Sequence, residues 1–131
     1  MSHLLDAGFL VACAWSGHHD HSRANRWLNS VDEFATASVT QMGFMRVSMS
    51  PAYGASFADA QTALDAILEL PSHRFLSDAT TAGSLPEVST GKDISDAHLV
   101  RLASSSGMRL ATLDAGLCRK PWSAAIAENP L

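Results

Sequence analysis

Short apolar runs, each followed by a longer stretch with apolar residues at helical spacing, repeat along the chain. His3-Leu4-Leu5-Asp6 is the first such run, and Ala7 to Trp15 behind it is apolar all round, as expected of a helix buried against a sheet. Ser16-Gly17 ends it. A second helix is predicted over Ser22 to Asn29, where Ala24, Trp27 and Leu28 share a face and Arg23 and Arg26 lie off it. Phe34-Ala35-Thr36-Ala37 reads as the second strand. Ser38-Val39-Thr40-Gln41 then matches the S/T-x-x-E/Q capping box, with Gln41 as the reciprocal partner of Ser38. The helix opened there runs through Met42, Phe44, Met45, Val47 and Met49 to Pro51; its methionine-rich face reads as core, with Arg46 as the polar exception.

Ser56-Phe57-Ala58-Asp59 starts another helix, with Ala60, Ala63, Leu64, Ile67 and Leu68 inward and Pro71 just past its end. His73-Arg74-Phe75-Leu76 is a third strand. Ser77 to Lys92 is long for a structureless loop, so a short helix is expected within it. The next helix carries Asp96 in its first turn and runs to about Ser106, with Leu99, Leu102 and Ala103 on one face and Gly107 as the stop. A strand follows, closed by Asp114, and Ala124 to Ala127 forms the last short strand.

Strands alternating with helices, without repeat or linker, predict a three-layer α/β/α fold with a mostly parallel central sheet. At 131 residues the chain is read as one domain spanning 1–131. No apolar run approaches the roughly 18 residues a membrane helix requires, and Asp6 interrupts any signal-peptide pattern, so a cytoplasmic protein is expected. Cys13 and Cys118 lack CxxC spacing and read as packed thiols. The net charge of −4 argues against holding nucleic acid by bulk electrostatics, so any such contact must be local.

The chemistry sits in the acids. In a parallel sheet, groups at the carboxyl ends of neighbouring strands and in the first turns of following helices converge on one crevice, which would bring Asp6, Asp96 and Asp114 together. Clustered carboxylates raise one another's pKa or recruit a divalent cation. Without a thiolate or placed histidine beside them, Mg²⁺ or Mn²⁺ is the fitting ion, and hydrolytic phosphate cleavage is the implied reaction. Taken singly, each acid also reads as a helix cap, and Asp93, three residues before Asp96, reads the same way. His18-His19-Asp20-His21 matches no standard zinc spacing and is read as loop structure. No Gly-rich phosphate loop is present, which leaves a receiver-like or nucleotide-sensing domain as a distant third reading.

The joint pattern resembles the PIN-domain ribonucleases, and within them the VapC-type toxins of toxin–antitoxin pairs. Leu4-Leu5-Asp6-Ala7-Gly8-Phe9-Leu10 is similar to the family's opening strand and first acid; Trp15, His18, His21, Ala24 and Trp27-Leu28 resemble the segment behind it. Thr40 to Val47 aligns with its second motif, Asp93 to Leu99 with its third, and Thr112-Leu113-Asp114 with its fourth. The resemblance implies that Asp6, Asp96 and Asp114 bind the metal with Thr112 in support; Asp93, one helical turn before Asp96, is a secondary candidate to compensate in part, behind its capping role. The second motif normally supplies a glutamate where this chain has Gln41, which brings no charge and no base.

Two functions follow from the resemblance: a Mg²⁺- or Mn²⁺-dependent endoribonuclease that slows translation, or a domain impaired at Gln41 that mainly binds its antitoxin. The resemblance also implies a cognate antitoxin protein, an RNA substrate, and a homodimer or toxin–antitoxin hetero-oligomer. Arg23, Arg26, Arg46, Lys92 and Arg119 are the candidates for holding RNA phosphates.

Overall fold

The structure is a computed structural model and describes residues 2–131. Its strands are β1 (His3–Leu5), β2 (Phe34–Ala37), β3 (His73–Leu76), β4 (Arg109–Ala111) and β5 (Ala127–Glu128). Its α-helices are α1 (Ala7–Ala14), α2 (His21–Ser30), α3 (Ser38–Ser48), α4 (Phe57–Leu68) and α5 (Ile94–Ser105). Period-two alternation divides each central strand between two cores. Leu5, Phe34 and Ala111 face Phe9, Leu10, Phe44 and Leu64 of α1, α3 and α4, whereas Leu4, Ala35 and Leu110 face Leu99, Val100 and Ala103 of α5. Three layers result, as the sequence predicts.

The sheet order is β3-β2-β1-β4-β5, and every pairing is parallel. The chain builds outward from β1 through β2 to β3, then crosses back to lay β4 on the other side of β1. A topological switch point therefore lies between the carboxyl ends of β1 and β4, where the following segments diverge to opposite faces and leave a crevice.

The short helix expected between Ser77 and Lys92 is the 3₁₀ helix Ala82–Ser84, and a second, Gly91–Asp93, leads into α5. Three local expectations change. The last strand is Ala127–Glu128, because Ser123 to Ile126 are taken up by turns whose N–H groups return to Lys120 and Ser123 carbonyls. The outer face of α3 is not core: Met42 is 60% and Met49 46% exposed, with Val39 and Val47 beside them, while Thr40, Gly43 and Phe44 face inward. Gln41 does not cap Ser38. The N-cap of α3 is Ala37, whose N–H donates to Thr40 Oγ1 at 2.9 Å while the Thr40 hydroxyl returns to the Ala37 carbonyl at 2.9 Å. Thr40 thereby does locally what the pattern assigned to Gln41.

Candidate active site

Asp6 follows β1 and caps α1, and its Oδ1 accepts the Phe9 N–H at 2.7 Å. Its backbone N–H pairs with the Ala111 carbonyl at 3.1 Å, which sets Asp6 against the end of β4. Beyond β4, buried Thr112 joins the two strand ends. Its hydroxyl draws the Asp6 pKa down, and its Oγ1 accepts the Asp114 N–H at 3.1 Å. Asp114 Oδ1 in turn accepts from the N–H groups of Gly116, at 2.9 Å, and Leu117, at 3.2 Å, and so opens the short turn Leu117–Arg119. Asp6 and Asp114 are thus caps and members of the crevice at once; the two readings do not exclude each other.

Asp96 enters from the first turn of α5 and is half-buried. Burial raises its carboxyl above the usual range, Asp114 and Asp93 push it further, and the Lys120 ammonium partly offsets them. Asp6 responds more strongly. Burial, with Asp96 and Asp114 adding repulsion, pushes its pKa up to about 6 against the opposing hydrogen bonds from Thr112 and Phe9. The three acids therefore share one field, and negative charge there is only partly compensated by the protein. Hard oxygen donors with uncompensated charge fit a divalent cation of the Mg²⁺ or Mn²⁺ type. Among the described residues, His18, His19 and Asp20 form the one set of three such side chains whose ligand atoms all lie within 4.8 Å of one another. The crevice acids are thus more widely set than a closed ligand cage.

That histidine cluster is stitched into the loop between α1 and α2. The Asp20 N–H donates to His18 Nδ1 at 3.0 Å, Asp20 pairs with Arg23 at 2.6 Å, and the His21 ring meets the Ala12 carbonyl at 2.8 Å.

Other expected site residues are engaged by partners of their own. Gln41 Nε2 donates to Thr36 Oγ1 at 3.1 Å, and Thr36 Oγ1 lies 2.7 Å from His73 Nε2 on β3. This ties Gln41 to β2 and β3, on the side of β1 away from β4. Asp93 makes no capping hydrogen bond; its Oδ1 holds Lys120 Nζ at 2.8 Å and its Oδ2 accepts from Thr90 at 3.2 Å. Lys120 lowers the pKa of the Asp93 carboxyl, so Asp93 is already matched by a cation. Arg23 is tied to Asp20 on α2. Arg26 is exposed on α2, Arg46 on the last turn of α3, Lys92 in the turn before α5, and Arg119 beside Lys120. The basic residue that reaches the acids is Lys120, one position beyond Arg119. Proline after Lys120 was the available signal, since it restricts the preceding backbone to extended geometry and ends the turn there.

Comparison with known proteins agrees with this architecture. The PIN domain family model matches residues 3–123. Ribonuclease VapC38 of Mycobacterium tuberculosis (strain ATCC 25618 / H37Rv) is 39% identical over 121 residues, covering 87% of this chain and 86% of that protein. Ribonuclease VapC39 of the same strain is 35% identical over 129 residues, covering 89% and 91%. Among solved structures, Mycobacterium tuberculosis VapC20, described as a Sarcin-Ricin loop cleaving toxin, superposes with a TM-score of 0.63 at 16% identity over 95% of both chains. A chain from VapBC2 of Rickettsia felis, bound to a DNA fragment from their promoter, gives 0.64 at 17% identity over 98% of both. At these identities the two structures speak to the fold.

Proposed function

Since this chain belongs to the PIN-domain family and is similar across most of its length to VapC ribonucleases, we propose that the crevice of Asp6, Asp96 and Asp114 hydrolyses RNA phosphodiester bonds. The observation that carries the reading is the field at Asp6: burial, with added repulsion from Asp96 and Asp114 across the β1/β4 switch point, pushes its pKa up to about 6. A bound Mg²⁺ or Mn²⁺ would relieve that repulsion and supply an acidified water together with charge neutralisation at the phosphate.

The chain's own residues supply the geometry. Asp6 is locked by Phe9 and Thr112 and presents its carboxylate from a rigid helix start. Thr112 links the two acids, accepting the Asp114 N–H and lowering the Asp6 pKa. Asp96 comes in from the opposite layer on α5, so the three carboxylates approach from different elements, as orientation of an incoming water requires. Arg26, Arg46, Lys92 and Arg119 are exposed and serve as RNA phosphate contacts outside the crevice; Arg23 does so only when released from Asp20. Gln41 is engaged with Thr36, which supports a structural role for it over that of a missing ligand.

The partner we propose is a cognate antitoxin, or a second copy of the chain, that covers the exposed Val39, Met42, Val47 and Met49 of α3. Among the described residues no helix is long and apolar enough to cross a membrane. Action on RNA in the cytoplasm, with slowed translation as its outcome, completes the reading. The direct test is cleavage of a mixed RNA panel by the antitoxin-free chain with Mg²⁺, Mn²⁺ or chelator. We expect cleavage that chelator abolishes and that Asp96→Asn lowers by at least a hundredfold. Cleavage equal in chelator or in Asp96→Asn overturns the assignment.

A further inference from the structure

The crevice has a cation of its own. Lys120 leaves the turn Leu117–Arg119 with an extended backbone set by Pro121, and that backbone is held firmly. Its carbonyl accepts from the N–H groups of Ser123, at 3.1 Å, and Ala124, at 2.9 Å, while the buried Ser123 hydroxyl donates back to the Leu117 carbonyl. Its ammonium stands 5.5 Å from the Trp122 ring centroid and 2.8 Å from Asp93 Oδ1. Asp93 is fixed in turn by Thr90. A lysine with anchored backbone and tethered head is placed rather than free, and its charge is felt by Asp96.

We propose that Lys120 is the built-in counter-cation of the crevice: it withholds Asp93 from the ligand set, opposes the divalent cation at Asp96 and Asp114, and offers its ammonium to a substrate phosphate. The opposition follows from charge. An ammonium whose charge is coupled to Asp96 and Asp114 lowers their affinity for a second cation by Coulomb repulsion, screened because Lys120 is partly exposed. The phosphate contact follows from position. The partly exposed Lys120 ammonium is held by Asp93, and a phosphate oxygen competes with that carboxylate as its partner. This second part rests on the ribonuclease reading; the first does not.

The test takes the intact antitoxin-free chain and Lys120→Met, which keeps the stem beside Trp122, with Lys120→Arg as the charge-conserving control. Free Mn²⁺ measured by electron paramagnetic resonance gives ion affinity without RNA. We expect Lys120→Met to bind Mn²⁺ about three- to tenfold more tightly than wild type and Lys120→Arg to match wild type. Fluorescence anisotropy with single-stranded RNA in chelator, across a salt series, gives the phosphate contact. There Lys120→Met should bind about three- to tenfold more weakly, with a salt slope shallower by about 0.7, and Lys120→Arg should restore both. Unchanged or weaker Mn²⁺ binding by Lys120→Met overturns the counter-cation role. Tighter Mn²⁺ binding with unaltered RNA affinity and slope overturns the phosphate contact. Wild-type protein that binds none of the RNA overturns the ribonuclease reading instead, and the Mn²⁺ result then upholds or overturns Lys120 as the crevice's own cation.

Discussion

Asp6 Oδ1 accepts the Phe9 N–H at 2.7 Å, so one carboxylate both caps α1 and stands in the acidic crevice. The cap needs a side-chain oxygen, whereas the crevice charge is a liability to the folded state. Asn caps about as well as Asp. The Asp6 pKa rises from 3.8 to about 6 on folding, so its contribution to stability is fully present below pH 3.8 and is lost as pH rises through about 6. Asp6→Asn should therefore stabilise the metal-free protein at pH 7.5 by about 1–3 kcal/mol, with the gap to wild type closing below pH 4. Asp6→Ala should gain about 1 kcal/mol less, through loss of the cap. Urea denaturation across pH checks both, and RNA cleavage should be lost in each variant.

Thr112 is the hinge between two acids, and its isostere separates shape from hydrogen bonding. In Thr112→Val the hydroxyl that lowers the Asp6 pKa disappears and the Asp114 N–H loses its acceptor. Because that hydroxyl lowers the Asp6 pKa, the variant should carry it above about 6 and move the acid limb of cleavage toward alkaline pH. A loss of about 1–3 kcal/mol in stability should accompany it. A pH–rate profile beside wild type reads the first effect, and an unmoved acid limb would remove Thr112 from the support of Asp6.

Position 41 is matched to its neighbours as a donor. Gln41 Nε2 donates to Thr36 Oγ1, and with His73 Nε2 unprotonated the Thr36 hydroxyl proton goes to that ring nitrogen. In Gln41→Glu the carboxylate claims that proton, and His73 must then protonate Nε2 to keep its bond. Burial holds His73 below its ordinary value, so this costs stability. We expect a loss of about 1–2 kcal/mol at pH 8. With the folded His73 pKa raised in the variant, its stability is kept at low pH and lost as pH rises, so the loss should shrink toward pH 5.5. Cleavage should change by less than about tenfold. A hundredfold gain would place position 41 in the cation site after all, and mean that the glutamine there disarms the site.

Gly43 reverses a rule of helix propensity. Ala at a helix interior position is ordinarily preferred to Gly by about 1 kcal/mol. Here a Cβ on Gly43 would stand 2.8 Å from Ala7 Cβ, where α3 crosses α1 one residue past Asp6. Neither atom is the end of a flexible chain, so the helices must part. Gly43→Ala should lower stability by about 1–3 kcal/mol and reduce cleavage by shifting Asp6. Thermal denaturation and initial rates test it, and a stabilised variant would show that α1 yields without strain.

Much of this protein was legible along the chain. Alternation in Leu4-Leu5, Phe34-Ala35 and Leu110-Ala111 determined strands shared between two cores, and helical spacing determined α1, α4 and α5, because both periods are local properties of the backbone. The three acids were legible too, since strand-end and first-turn positions of a parallel sheet converge by topology alone. What a side chain meets across a packed interface is not local. Only the tertiary structure turned Gln41 toward Thr36, left Met42 and Met49 outside the core, pressed Gly43 on Ala7, and brought Lys120 rather than Arg119 to the acids. Each outcome depends on which element lies opposite, and that is decided by how layers pack and where turns end, at distances the periodicity of the chain does not encode.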